Sequence, residues 1–307
     1  MKLFLWCRTT LMVVAGTVVC VMALDWGHAW WVERRYAAWE SGIERDDDGV
    51  RANFAPWTLG SGDRALLFIH GFAGSPDLFK AWGTYFADRN YTCHAIRLPG
   101  FGVPVAAAAN VTAEEWRATI HEAVQQLRSS HDEVWIVAHS LGATLALQVA
   151  VAEPGLVDGL CLMAPLLEIS AQRSPLLAPG TWFKLGRRIM RRTTFVESML
   201  PVDAHDPQLA SVVVRDRFIP WAIYDSLFEV LADLPPAADL AHLPIWVALA
   251  DSDEIIDNAA AQAWFTELPQ VNKVLITTDT AGHVLPQDTG WEELREAMKQ
   301  FMAMIDP

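Results

Sequence analysis

Short apolar runs alternate with amphipathic stretches over most of the chain. RALLFIH, residues 64–70, is a nearly uninterrupted apolar run ending at a glycine-rich turn, which predicts a strand covered on both faces. Ser75, Pro76 and Asp77 then supply an N-cap, a first-turn proline and a first-turn acid, and Phe79, Trp82 and Phe86 recur at helical spacing. YTCHAIRL (91–98) predicts the next strand, closed by Pro99 and Gly100. Thr112 and Glu115 form a capping box before a helix with Trp116, Ile120, Val124 and Leu127 on one face. Strand EVWIVAH (133–139), a helix over 142–152 and strand GLCLMAPL (159–166) continue the alternation. It lapses over 167–240, where prolines, arginines and helical stretches contain no convincing strand. Strands resume at IWVALA (245–250) and KVLITTD (273–279), and an amphipathic helix, WEELREAMKQFMAMI (291–305), follows. Such alternation implies an α/β, doubly wound, mostly parallel sheet with helices on both faces. Residues 167–240 then form a helical cap insertion above the sheet's C-terminal edge, where such folds bind ligands.

The N-terminal segment follows neither pattern. Lys2 and Arg8 precede an uncharged run over residues 9–24, and Trp26, Trp30 and Trp31 follow it. The segment approaches the length needed to cross a bilayer, about 20 residues, and the tryptophans suit an interface. Two readings stay open: a retained transmembrane anchor over residues 1–24, or a signal segment cleaved near Val21, Met22 and Ala23. Either one places the remaining chain outside the cytoplasm. Residues 25–58, with the acidic ERDDDGV, read as a solvated connector.

Composition narrows the picture further. A length of 307 residues with 52% hydrophobic positions suits one large α/β domain with an insertion. The net charge of −14 argues against nucleic acid as a partner. Fourteen tryptophans favour apolar pockets or a membrane interface. Cys7, Cys20, Cys93 and Cys161 have neither metal-site nor disulfide spacing and read as buried free thiols. Nothing in the composition sets the oligomeric state.

A lone serine stands where strand 133–139 gives way to a helix. In AHSLG (138–142), Ser140 has Ala138 and Gly142 two residues away on either side. A serine held out at so sharp a turn needs small residues there, because the neighbouring strand and helix pass close by. Taken alone, the pentapeptide also fits a serine that caps a helix. It resembles the G-x-S-x-G nucleophile elbow of the α/β-hydrolases, with alanine for the first glycine. His70-Gly71-Phe72-Ala73-Gly74 resembles that family's oxyanion-hole loop, so the N–H groups of Phe72 and Leu141 are candidate oxyanion donors. His70 reads as a residue orienting this loop rather than a catalytic one. Asp251 and Asp253 follow one late strand and His283 follows the last, in the chain order serine, acid, histidine of this fold.

From about residue 60 to 305 the chain resembles an α/β-hydrolase, nearest the monoacylglycerol lipase and carboxylesterase branch. IHGFAGS, YTCHAIRLPGFG, VAHSLG, DSDEIID and AGHVLPQD carry the likeness. The resemblance implies a Ser140–Asp253–His283 triad, no cofactor or metal, and a cap over an acyl pocket. In such relatives the acid stands three residues after a strand-ending glycine. Ala250 holds that place here and points to Asp253, with Asp251 and Glu168 as rivals. The division expected is a segment at 1–24, a connector at 25–58, core at 59–166, cap at 167–240 and core at 241–307. The function expected is serine hydrolysis of small-molecule or lipid carboxylic esters through an acyl-enzyme on Ser140. Two alternatives remain: a same-fold hydrolase of thioesters, amides or carbon–carbon bonds, and a non-catalytic membrane-tethered binding protein. Within the cap, TWFKLGRRIMRR (181–192) predicts a helix with Lys184, Arg187, Arg188, Arg191 and Arg192 on one side. That face either rests on an anionic bilayer or simply meets water.

Overall fold

The computed structural model describes residues 2–174, 176–198 and 201–305. The side chains of Lys2, Cys7 and Arg8 lie outside the described part. The first elements are α1 (Lys2–Glu40), β1 (Trp57–Leu59), β2 (Arg64–Ile69), α2 (Lys80–Ala87), β3 (Tyr91–Ile96), α3 (Ala113–Arg128), β4 (Glu133–His139), α4 (Leu141–Ala152) and β5 (Gly159–Met163). The insertion contributes α5 (Pro179–Ile189), β6 (Phe195–Glu197), α6 (Leu209–Val212), β7 (Phe218–Pro220) and α7 (Trp221–Ala232). The core resumes with β8 (Ile245–Ala250), α8 (Asn258–Glu267), β9 (Lys273–Thr278) and α9 (Trp291–Ile305).

Seven strands form one sheet in the order β1-β3-β2-β4-β5-β8-β9, parallel except for β1 at one edge. Strands β5 and β8 are buried at every position, which is why their sequences are continuous apolar runs. Helix α4 is enclosed as well, with residues 141–150 all buried and no polar face. Helix α3 begins at the expected box. The Thr112 hydroxyl accepts the Glu115 N–H at 3.2 Å, and the Thr112 N–H donates to the Glu115 carboxylate at 2.7 Å. Trp82, Trp116, Trp135 and Trp246 are fully buried, so part of the tryptophan excess serves the core. The Trp82 and Trp116 indoles each donate to a proline carbonyl at 2.8 Å, of Pro286 and Pro99. Burial pushes the Cys93 thiol up to about 12 and raises that of Cys161 as well. Cys20, expected to be buried, is exposed on α1.

Three features differ from the sequence pattern. Edge strand β1 was not predicted, being three residues long and only half-buried. The insertion contains an antiparallel strand pair, β6 with β7, although its sequence offered no strand. Finally, α1 does not stop near residue 24; it continues through the expected connector to Glu40. Asp25, His28, Val32, Tyr36 and Trp39 recur at helical spacing, and all five contact the cap or the core loop beside it. Their mixture of polar and aromatic types hides the pattern from a hydrophobicity reading. The stretch Thr10–Glu40 is long and apolar enough to cross a membrane by length and composition, and only 6% of its most apolar window is buried in the protein.

Candidate active site

Ser140 takes φ 53° and ψ −120°, a backbone conformation that side-chain-bearing residues rarely adopt and that costs about 1–3 kcal/mol. Surrounding hydrogen bonds hold it there. Its N–H donates to the Met163 carbonyl at 2.9 Å, and its own carbonyl accepts from Ala143 at 3.0 Å and Leu166 at 3.3 Å. The small-residue requirement is physical at Gly142, where a Cβ would lie 2.5 Å from the His70 carbonyl oxygen and 2.7 Å from that of Ile69. Ser140 does not cap α4 with its side chain. Its hydroxyl instead lies 3.0 Å from His283 Nε2.

His283 Nδ1 lies 2.8 Å from Asp253 Oδ2. The carboxylate can only accept, so Nδ1 carries the proton and Nε2 is left to accept from the serine hydroxyl. Burial alone would raise the Asp253 carboxyl. The His283 ring and the N–H groups of Ile256 and Ile255 outweigh burial and hold it below the usual carboxylate range. The rivals lie elsewhere: Asp251 and Glu168 are exposed, whereas Asp253 is 1% exposed. The fold therefore brings together Ser140, Asp253 and His283 from the ends of β4, β8 and β9.

Phe72 follows β2, and Gly71 beside it is packed so closely that a Cβ would sit 2.9 Å from Ser140 Cβ. Leu141 is the first residue of α4, so its N–H is one of the four that a helix N-terminus leaves without an internal acceptor. Its side chain is buried in the core. His70 has the orienting arrangement expected of it. Nδ1–H donates to the Gly71 carbonyl at 2.8 Å and Nε2 accepts the Leu98 N–H at 3.1 Å. Both bonds need a neutral ring, and burial lowers its pKa to about 4.

Four further residues organise the site without having drawn notice in the sequence. His139, inside the pentapeptide, donates from Nε2 to the His283 carbonyl at 2.8 Å, and burial with the adjacent His283 lowers it to about 3. Asp288 accepts the N–H groups of His205, Asp206, Gly282 and Thr289, tying a loop of the cap to the loop of His283. Asp203 accepts the Glu254 N–H on its carboxylate at 2.8 Å and the Val284 N–H on its carbonyl at 3.2 Å. It thus joins the acid loop to the histidine loop. Asp216, pushed up to about 6 by burial, accepts the Gly102 N–H at 2.6 Å while its own N–H donates to the Ala73 carbonyl at 2.8 Å. His139 and Asp288 had a local signal, the first inside AHSLG and the second standing five residues after His283 in AGHVLPQD.

A cavity of about 300 Å³ opens over Ser140 and His283, lined mainly by apolar side chains such as Leu166, Val213, Leu227 and Ile255. Arg173 and Arg215 also line it. A second cavity of about 420 Å³ shares Ile169, Arg173, Tyr224, Leu227 and Ile255 with the first. Among the described residues no group of three or more His, Cys, Asp or Glu is placed to hold a metal ion.

The chain is similar to several known proteins. A carboxylesterase of Bacillus subtilis (strain 168) is 22% identical over 253 residues, covering 82% of this chain and 97% of that protein. A thermostable monoacylglycerol lipase of Bacillus sp. (strain H-257) is 22% identical, covering 83% of this chain and 96% of its own length. A soluble variant of the monoglyceride lipase of Saccharomyces cerevisiae, solved with a substrate analogue, superposes with a TM-score of 0.68 at 14% identity, over 86% of this chain and 94% of that one. The family model described as serine aminopeptidase, S33 matches residues 60–290. Helix α1 lies outside that match. From residue 60 to 290 the chain belongs to this family of α/β-hydrolases, on the branch of the carboxylesterases and monoacylglycerol lipases.

Proposed function

We propose that the protein is a serine hydrolase of carboxylic esters that carry an apolar acyl chain. One observation supports this above the others: the hydrogen-bonded series Ser140–His283–Asp253 at the floor of an apolar cavity. Ser140 Oγ attacks the ester carbonyl as its proton passes to His283 Nε2, and Asp253 stabilises the imidazolium so formed. The N–H groups of Leu141 and Phe72 receive the oxyanion. Collapse of the intermediate breaks the carbon–oxygen bond, His283 protonates the departing alkoxide, and an acyl-Ser140 ester remains. Water, deprotonated by the same ring, then releases the carboxylic acid and restores the serine. His139 and Asp288 act through His283, holding its loop in place.

The family's name raises peptide hydrolysis as a rival, and the mainly apolar lining of the cavity favours the acyl chain of an ester over it. An aminopeptidase must bind a free ammonium group with an anionic partner. Among the described residues the carboxylates lining this cavity are Asp77 and Asp203. Arg173 and Arg215 line it as well, and Asp203 already lies 3.5 Å from the Arg173 guanidinium, which leaves Asp77 as the group that would have to hold an ammonium. In keeping with its length, α1 is read as a retained membrane anchor with the hydrolase domain outside the cytoplasm. The names of the curated relatives agree with the ester reading. The decisive trial is a panel of p-nitrophenyl esters of rising chain length together with a fluorophosphonate probe. Ester turnover that rises with chain length and is blocked by labelling at Ser140 is expected. Peptide cleavage without ester cleavage, or labelling elsewhere, would overturn the proposal.

A further inference from the structure

The uncharged run of α1 exposes Leu11, Val13, Val19, Met22 and Leu24, and it ends at Asp25. That aspartate is buried, with Oδ2 accepting the N–H groups of Arg191 and Arg192 at 2.7 Å each. Oδ1 accepts the Thr193 N–H at 3.1 Å and the Thr193 hydroxyl at 2.9 Å. Further along the same helix face, Arg35 forks onto Glu197 at 2.5 and 2.8 Å, and Tyr36 packs edge-on against Phe195 and Phe218. A helix rises about 1.5 Å per residue, so these contacts hold the cap over about 16 Å of α1. A chain that leaves the end of α5 to meet Asp25 cannot continue helically. This is why α5 stops at Ile189, and why Arg191 and Arg192 lie beyond the helix rather than on its expected basic side.

The clamp sets the end of α5 level with the point where the uncharged run of α1 stops. Helix α5 packs one side on the cap, with Phe183 stacked on Phe228 at 4.3 Å. Its other side leaves Trp182, Leu185 and Ile189 exposed in one stripe, with Lys184 and Arg188 beside them. Beyond the helix, the Arg192 guanidinium lies over the Trp26 ring at 4.7 Å. Apolar side chains level with a membrane-length helix, bordered by cations in a chain of net charge −14, match the headgroup zone of an anionic bilayer. Pro179, Trp182 and Phe183 of α5 also line the second cavity, which adjoins the one over Ser140.

We propose that α1 and the cap form one bilayer-docking unit, clamped at Asp25, whose partner is an anionic phospholipid surface and which admits a single-chain lipid ester from that surface through the second cavity. The proposal rests on the ester reading for its substrate but not for its docking. The full-length protein is tested with a monoacylglycerol carried in phosphatidylglycerol vesicles and with soluble p-nitrophenyl acetate. Leu185→Glu/Ile189→Glu should cut vesicle-borne turnover at least tenfold and leave acetate turnover within about twofold. Separately, an environment-sensitive fluorophore on Leu185→Cys, in a Cys7→Ser/Cys20→Ser background, should shift to the blue when vesicles are added. Asp25→Ala, its unchanged melting showing an intact core, should blunt that shift. Absence of the shift overturns the docking whatever the activity. A shift without any ester hydrolysis upholds docking and overturns the ester reading. Vesicle turnover unaffected by the double substitution overturns the entry route.

Discussion

Asp253 and Asp25 are both buried carboxylates satisfied by backbone N–H groups, yet they do different work. Asp253 accepts from Ile255 and Ile256, two and three residues along its own loop, and its free oxygen reaches His283. The loop therefore builds its own acid in place, and β8 and β9 supply the rigidity. Asp25 accepts from residues 191–193, more than 160 positions away, and nothing in its own neighbourhood shapes the contact. The site of chemistry is thus assembled from short, locally determined turns on a sheet whose central strands are buried. The cap is instead held by a helix outside the family match. On the two proposals above, the contrast separates what would perform the reaction from what would decide where, and on which substrate, it happens.

The largest effect that sharpens this division is expected at the elbow. Ser140→Ala should lower ester turnover by about 10⁴-fold or more while the melting temperature changes little. Activity persisting above a few per cent, in a preparation free of other esterases, would place the nucleophile elsewhere. Next comes the acid. Asp253→Asn should cost on the order of 10⁴-fold in kcat by favouring the wrong tautomer of His283, whereas Asp251→Asn, on an exposed residue, should stay within a few-fold. Equal losses from the two would break the argument that geometry selects Asp253.

A smaller effect should appear in stability. Gly142→Ala thrusts a methyl group toward two fixed backbone carbonyls of β2 and the turn after it, and should destabilise the fold by about 3 kcal/mol in urea titrations. Smaller still, read per pH unit, is the effect of the buried histidines. Unfolded histidine titrates near 6.5, while His70 and His139 are held at about 4 and about 3. The unfolded chain therefore binds protons that the fold refuses. The stability tied to these rings is complete above about pH 6.5 and is lost as pH falls toward 4, at about 1.4 kcal/mol per unit and per ring. Urea midpoints measured from pH 7 to 4.5 should fall accordingly, and His70→Gln should flatten the slope by about one proton. An unchanged slope would mean the ring is not held neutral.

The same contrast explains what could be read in the sequence. The core strands and the elbow were legible because each depends on residues close in the chain: continuous apolar runs, a capping box at Thr112, small residues around Ser140. Asp253 was singled out over Asp251 because the family resemblance places the acid three residues after the end of its strand, where Ala250 stands here. The supporting acids Asp203 and Asp216 were not, since their donors lie on distant loops, and an aspartate in a polar stretch looks like any surface residue. Strand β6 was hidden because a three-residue strand has too little pattern to register. The continuation of α1 was hidden because its docking face mixes Asp25 and His28 with Tyr36 and Trp39. The basic side expected over residues 181–192 assumed a helix that Asp25 brings to an end.

The central claim is that Ser140 becomes acylated during turnover. Its most direct test mixes enzyme with excess p-nitrophenyl ester, quenches within milliseconds and maps the peptides by mass. The account predicts a transient adduct of the acyl mass on the peptide containing Ser140, forming with a burst of p-nitrophenol of about one equivalent and decaying as substrate is exhausted. Steady ester turnover with no adduct at any quench time, or an adduct confined to another residue, would contradict it.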